Sequence, residues 1–290
     1  MRGFAPCAHT VDAPRGPAPR TSPPHDHRPS SPMGATGRAR TRNARLTPTS
    51  RRTPLRPVRQ TRPWPARPSR PRSRAMPFAH PVIVFDLDGT LIRNTTVSLL
   101  LAEGVGRLPA VEELERLYDS YAIDNDTFSD REAALLAGLT PEQIRGFLAD
   151  APWTAGVEET LRTLTEGGCT LLLATLAWGF AVEELEHRPW FSAVGAADME
   201  YVDGALSGRV DRYFDEQGKL DFVRAWCAER GVPLDQVAAV GDSRSDLRLF
   251  AGVGTSVALN ASADARAAAD HVLDTEDLRD LLPLLRTRTA

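Results

Sequence analysis

Pro81-Val82-Ile83-Val84-Phe85-Asp86-Leu87-Asp88-Gly89-Thr90 is the stretch that decides how this chain folds. Its four-residue apolar run is the pattern of a strand buried on both faces of a parallel sheet. It ends in two carboxylates one residue apart, followed by a glycine that permits a sharp departure from extended geometry. Thr170-Leu171-Leu172-Leu173-Ala174-Thr175 and Val237-Ala238-Ala239-Val240-Gly241 repeat the pattern, and the second is followed at once by Asp242. Helical stretches lie between them, over 158–166 ending at Gly167-Gly168 and over 219–230 ending at Gly231. Strands alternating with helices predict an α/β fold with a doubly wound, Rossmann-like parallel sheet, whose ligands bind at the carboxyl ends of the strands.

Further elements complete that core. A helix is expected from Asp246 to about Ala251, short strands at 256–259 and 271–273, and a closing helix at 276–285. Alternation on either side of Asp203-Gly204 predicts a hairpin, 199–202 against 205–210, with a type I′ turn. Residues 94–157 carry no strand signal and read as four helices, 97–103, 110–121, 130–137 and 141–149. Two starts carry capping signals: Ser129 with Glu132 three later, and Thr140-Pro141 with Gln143. A simple crossover needs only about a dozen residues, so 94–157 is expected to be an inserted all-helical cap on a core formed by 77–93 and 158–290.

Residues 1–76 stand apart. The first 75 contain 17 arginines, no lysine, two aspartates and 15 of the chain's 23 prolines, against an acidic surplus in the rest of the 290 residues. Such a segment cannot bury enough apolar surface to offset its chain entropy, and is expected to stay outside the fold. Proline at this density opposes an amphipathic transit helix. Arginine would neutralise nucleic-acid phosphates, but Trp64 is the one strong stacking residue among these arginines, which argues against a nucleic-acid arm. The plainest reading is that translation starts at Met76. No apolar run approaches the roughly 18–20 residues of a membrane span. Cys7, Cys169 and Cys227 are too widely spaced for a disulfide framework or a zinc site, which fits a reducing, cytoplasmic compartment.

The chemistry is concentrated at two strand ends. Asp86 and Asp88 close the first strand, and Asp242 and Asp246, four apart where a helix begins, follow the last. Any one of them alone reads as a turn or cap residue. Four carboxylates converging on one cleft repel one another and suit a hard, oxygen-seeking cation, Mg²⁺ above all. Lys219 is the one lysine among 35 basic residues, set where a helix follows Glu216-Gln217-Gly218. Its compact ammonium fits beside a phosphate where a guanidinium fork is too wide.

In this order, Asp86-Leu87-Asp88-Gly89-Thr90, Thr175, Lys219 and Gly241-Asp242 with Asp246 resemble the four motifs of the haloacid dehalogenase (HAD) superfamily of phosphohydrolases. A helical insert between motifs one and two, with Asp203–Gly208 and Ala258–Ala261, is most similar to the phosphoserine phosphatase-like branch. The resemblance covers about residues 82–273. It implies a Mg²⁺-dependent phosphomonoester hydrolase acting on a small phosphorylated metabolite through an aspartyl-phosphate intermediate. Asp86 would be the nucleophile and Asp88 the general acid and base; Asp86, Asp88, Asp242 and Asp246 would be the metal set, with Asp88 contributing its backbone carbonyl. Thr175 and Lys219 would hold the phosphate.

Departures from the branch bear on the substrate. Its second motif reads Ser-Gly-Gly, whereas Thr175 precedes Leu176-Ala177-Trp178-Gly179. The acidic residue that holds a substrate amine falls near Thr95, and the arginine that holds a substrate carboxylate falls near Glu132, beside Arg131. Motif four carries Ser243-Arg244-Ser245 in place of Gly-Ala-Asn. These departures argue against phosphoserine itself. Asp88 argues against a dehalogenase, which lacks a second aspartate there. A phosphotransferase, or a nucleic-acid-associated protein using the basic tail, are the remaining alternatives, and a Walker-type ATPase is unsupported, since no Gly-x4-Gly-Lys-[Ser/Thr] occurs. Trp153, Trp178 and Trp190 are expected in the core rather than in a pocket, and His187 and His271 have no metal-spaced partner.

Overall fold

The computed structural model describes residues 77–286. The expectations for the basic tail, the start at Met76, Cys7 and Trp64 lie outside them. Among the described residues seven strands form one sheet: β1 Val82–Phe85, β2 Thr170–Trp178, β3 Ala193–Val202, β4 Ala205–Arg212, β5 Val237–Gly241, β6 Thr255–Leu259 and β7 His271–Leu273. Their spatial order is β4-β3-β2-β1-β5-β6-β7, and every pairing is parallel except that of β3 with β4.

Strand side chains alternate between the two faces, and the sequence supplies an apolar residue for each. Ile83, Phe85, Leu171, Leu173, Ala238 and Val240 join one buried layer, with Leu161 and Leu164 of α5 (Val157–Glu166). Val82, Val84, Leu172, Ala174, Val237 and Ala239 join the other, with Leu220, Val223 and Cys227 of α7 (Glu216–Ala228). This two-faced burial is why the strands read as continuous apolar runs. Short helices α6 (Gly179–Val182), α8 (Leu247–Phe250), α9 (Ala263–Ala268) and α10 (Leu282–Leu285) complete the body. Among the described residues no helix is long and apolar enough to cross a membrane, and Cys169 and Cys227 are buried free thiols.

Between β1 and β2 the chain forms α1 (Val97–Gly104), α2 (Leu108–Asp119), α3 (Asn125–Leu135) and α4 (Pro141–Leu148). A β-bridge joins the outgoing Ile92 to the returning Trp153, reinforced by Arg93 N–H to Pro152 O (3.0 Å) and Thr154 N–H to Leu91 O (2.8 Å). The two connections therefore leave and re-enter the body side by side. The Thr140–Gln143 capping box forms as expected.

Some expectations change. Helix α3 starts five residues earlier than its Ser129 signal, because Asp124 accepts from Thr127 N–H and caps the chain first. Ser129 is then buried in mid-helix, and Glu132 turns inward to accept a 2.9 Å hydrogen bond from Trp178 Nε1. Strand β2 runs on to Trp178, with a register shift against β3 after Ala174. The expected helix at 246–251 is a 3₁₀ turn, Arg244–Asp246, leading into α8, and the closing helix is split likewise into a 3₁₀ turn and α10. The hairpin at Asp203-Gly204 forms, with both residues at positive φ (52° and 85°), as a type I′ turn requires.

Glu132 has a measurable consequence. It is 2 % exposed, and burial above all pushes its carboxyl from 4.5 up to about 7. Folding favours the protonated form, so its contribution to stability is full below pH 4.5 and is lost as pH rises through about 7. Glu132→Gln, which keeps an acceptor for Trp178, is expected to exceed the parent by about 3 kcal/mol at pH 8. The two should converge below pH 5 in urea denaturation; equal stability at pH 8 would contradict this.

Candidate active site

Parallel pairing sets β1 between β2 and β5, with Phe85 opposite Leu173 and Val240. That register brings the residues just beyond β1 and β5 to one edge. Carboxylate oxygens of Asp86, Asp242 and Asp246 lie within 4.8 Å of one another. Gly89 takes φ +76°, and a Cβ there would overlap the Asp242 carboxylate. A side chain at Gly241 would likewise overlap that of Asp246. Both glycines are dictated by the close approach of an acidic group as much as by backbone shape.

Lys219 enters from α7, whose start is fixed by Asp215 accepting from Gly218 N–H at 2.7 Å. Its side chain is fully buried, and Nζ donates to Ser245 Oγ (2.7 Å) and Asp246 Oδ1 (2.8 Å) and sits 3.0 Å from Asp86 Oδ1. Burial alone would lower the Lys219 pKa, but the charges of Asp246 and Asp86 hold it above the ordinary lysine value. The other Asp246 oxygen accepts from the backbone N–H groups of Asp242 (3.1 Å) and Ser243 (3.3 Å).

Asp86 and Asp246 thus share one ammonium, with the Asp242 carboxylate close beside them. Burial, then the charge of Asp246, raises Asp86 to about 6 in spite of Lys219. Asp242 is raised well above the ordinary range by burial and then by Asp86 and Asp246, and its buried Oδ1 has no hydrogen-bond partner. A surplus of negative charge and an orphaned carboxylate oxygen fit a hard divalent cation. Asp86 and Asp242 have oxygens free to face it. Both Asp246 oxygens already accept hydrogen bonds.

Asp88 lies just outside this group. Its Oδ1 accepts from Val97 N–H at the start of α1 (2.9 Å), and burial raises its pKa well above the ordinary carboxylate range, with added repulsion from Asp86, Glu115 and Glu132. Thr175 sits at the β2 irregularity with its hydroxyl accepting from Ala177 N–H (3.0 Å), facing the same cleft. The cleft has a volume of about 620 Å³ and is walled on one side by Asp86, Asp88, Thr175 and Asp242, on the other by Thr96 and Ser98 of the α1 start and Glu115 and Tyr118 of α2. Trp178 is buried in the core as expected and Trp190 packs against it, whereas Trp153 packs against the core and also lines a separate pocket with His187 and Arg279.

Sequence reasoning assigned no role to Arg244, Ser245, Glu115 or Tyr118. Arg244 reaches from the body to the insert: its guanidinium lies 4.0 Å from the Tyr118 ring and 3.9 Å from the Tyr121 ring, pairs with Glu216 at 3.0 Å and donates to the Tyr118 carbonyl. Tyr118 Oη also donates to Glu216 (2.7 Å), and Asn125 Nδ2 to Phe214 O (2.8 Å). The signal for Arg244 was its place inside motif four; α2 gave none, because an acidic run such as Glu112, Glu113 and Glu115 on a helix looks the same whether it faces solvent or a cleft.

The geometry has known counterparts. The family model for haloacid dehalogenase-like hydrolases matches residues 83–251. A phosphoserine phosphatase of Mycobacterium tuberculosis is 30 % identical over 207 residues, 70 % of this chain and 50 % of that protein. One from Methanocaldococcus jannaschii is 24 % identical over 210 residues, 71 % of this chain and 97 % of that protein. A solved phosphoserine phosphatase with a phospho-aspartyl intermediate analogue superposes with a TM-score of 0.65 at 24 % identity, covering 71 % of this chain and 99 % of that one. The chain spans about half the length of the M. tuberculosis protein and of a Streptomyces coelicolor phosphoserine phosphatase that is also 30 % identical. With the four motifs in order and meeting at one sheet edge, the chain belongs to the haloacid dehalogenase-like hydrolase family, in its phosphoserine phosphatase-like branch.

Proposed function

We propose that the protein hydrolyses phosphomonoesters of small metabolites, with Asp86 as nucleophile and Asp88 as general acid and base. The observation that carries this reading is the convergence of Asp86, Asp242 and Asp246 at the head of the cleft, with the buried Lys219 paired to Asp86 and Asp246. Asp86 and Asp242 would hold Mg²⁺ with the Asp88 carbonyl, and Asp246 would act through a bound water. Bound there, the ion supplies positive charge beside the attacking carboxylate and the phosphoryl oxygens.

The chain's own residues account for the proton and the phosphoryl group. The Asp86 carboxylate attacks phosphorus, forming an acyl phosphate as the ester P–O bond breaks. Asp88, whose pKa burial raises, would give a proton to the departing alkoxide. It then takes a proton from the water that splits the acyl phosphate, returning Asp86 and free phosphate. Lys219 stays protonated beside Asp86 and, with the Thr175 hydroxyl, stabilises the equatorial oxygens. Residues 94–157 serve as a cap on the body at 77–93 and from 158 onward, held over the cleft by the Arg244 contacts and excluding water from the first step.

Purified protein should release phosphate from an aryl phosphate in Mg²⁺ and stop when the ion is chelated. Transfer to added alcohols at the expense of free phosphate would favour a phosphotransferase. Asp88→Asn should lower kcat by roughly 10²–10⁴; a loss below threefold would remove its role.

A further inference from the structure

We propose that the leaving group selected by this cleft is a small amino alcohol, bearing a cationic nitrogen and no carboxylate. This rests on the phosphatase reading above and concerns the cleft wall remote from Asp86. That wall is acidic: Glu115 and Asp119 of α2 line it, and Asp264 closes the rim. Thr96 Oγ1 donates to Glu115 Oε1 at 2.5 Å, and among the described residues no hydrogen bond reaches Oε2. Behind Ser98, another lining residue, lies the buried carboxyl of Glu132. Glu115 and Glu132 are both near enough to Asp88 to add to its field.

The basic inventory is the second observation. Among the described residues that line the cleft, Arg244 is the sole cation. Its guanidinium is held between two tyrosine rings and hydrogen-bonded to Glu216 and the Tyr118 carbonyl, so it has no free fork to offer a substrate carboxylate. An anionic leaving group here would face carboxylates without a counter-charge. An ammonium would find Glu115 as its partner, with the Tyr118 and Phe128 rings, 5.9 Å apart edge to face, on the same wall. Burial raises Glu115 to about 7, the state of a carboxyl that lacks a cation to pair with.

The test compares phosphate release by the full chain in Mg²⁺ from 4-nitrophenyl phosphate, 2-aminoethyl phosphate, O-phosphoserine and glycerol 3-phosphate. Expected is a kcat/KM for 2-aminoethyl phosphate at least about tenfold above phosphoserine and glycerol phosphate, a difference of about 1.4 kcal/mol in transition-state binding. Glu115→Gln should lower the ratio of aminoethyl to aryl turnover at least about fivefold, mainly through KM. Phosphoserine or glycerol phosphate turned over as well as 2-aminoethyl phosphate would overturn the inference and leave the phosphatase standing. No hydrolysis of the aryl ester would instead remove the parent reading.

Discussion

Asp86→Asn is expected to abolish phosphate release from an aryl phosphate, with a loss of at least about 10⁴, more than 5 kcal/mol of barrier. The carboxamide is a poor nucleophile and cannot carry the acyl phosphate through two steps. The fold should survive the change. The parent carboxyl is already raised to about 6 by burial, so replacing it with a neutral isostere removes a charge that the site holds at a cost. Lys219 keeps Ser245 and Asp246 as partners. A folded Asn variant retaining more than about one per cent of parental kcat would exclude Asp86 as nucleophile.

Lys219 gives the second large effect, on stability as well as rate. Lys219→Met leaves Asp86 and Asp246 buried without their shared cation, a type of change that costs about 3–5 kcal/mol. The cost should be largest above pH 7. It should shrink on acidification as Asp86 takes a proton, at about pH 6 in the parent and higher once Lys219 no longer lowers its pKa, since a group raised in the fold regains its contribution as pH falls. Urea denaturation at pH 7.5 and pH 5 measures this. Lys219→Arg keeps the charge but puts a planar fork into a fully buried slot sized for one ammonium between Ser245, Asp86 and Asp246. At least about a tenfold loss of kcat is expected, and parental activity in the Arg variant would reduce Lys219 to a structural counter-charge.

Much of this site was legible before any coordinates, for a physical reason. In a doubly wound sheet the carboxyl ends of adjacent strands are neighbours, so the residues after Phe85 and Val240 had to meet. The apolar runs at 82–85, 171–174 and 237–240 had one satisfactory environment, burial on both faces. The helical insert was harder. Its helices were detectable, but which capping signal prevails at α3 depends on Asp124 acting five residues before Ser129. That choice rotates Glu132 inward against Trp178. Glu115 was hidden in an acidic run, and only the packing of α2 over the strand ends turns it into the cleft. Arg244 was visible as a departure inside motif four, yet its stacking between Tyr118 and Tyr121 joins residues more than 120 positions apart.

A covalent bond between phosphorus and the carboxylate of Asp86 is the central step of the proposed reaction. Rapid quenching during turnover, followed by borohydride reduction, converts an acyl phosphate on aspartate to homoserine, which peptide mass spectrometry locates. The predicted result is homoserine at position 86, dependent on substrate and absent from Asp86→Asn. Homoserine at another aspartate, or steady phosphate release with position 86 unmodified in every quenched sample, would contradict it.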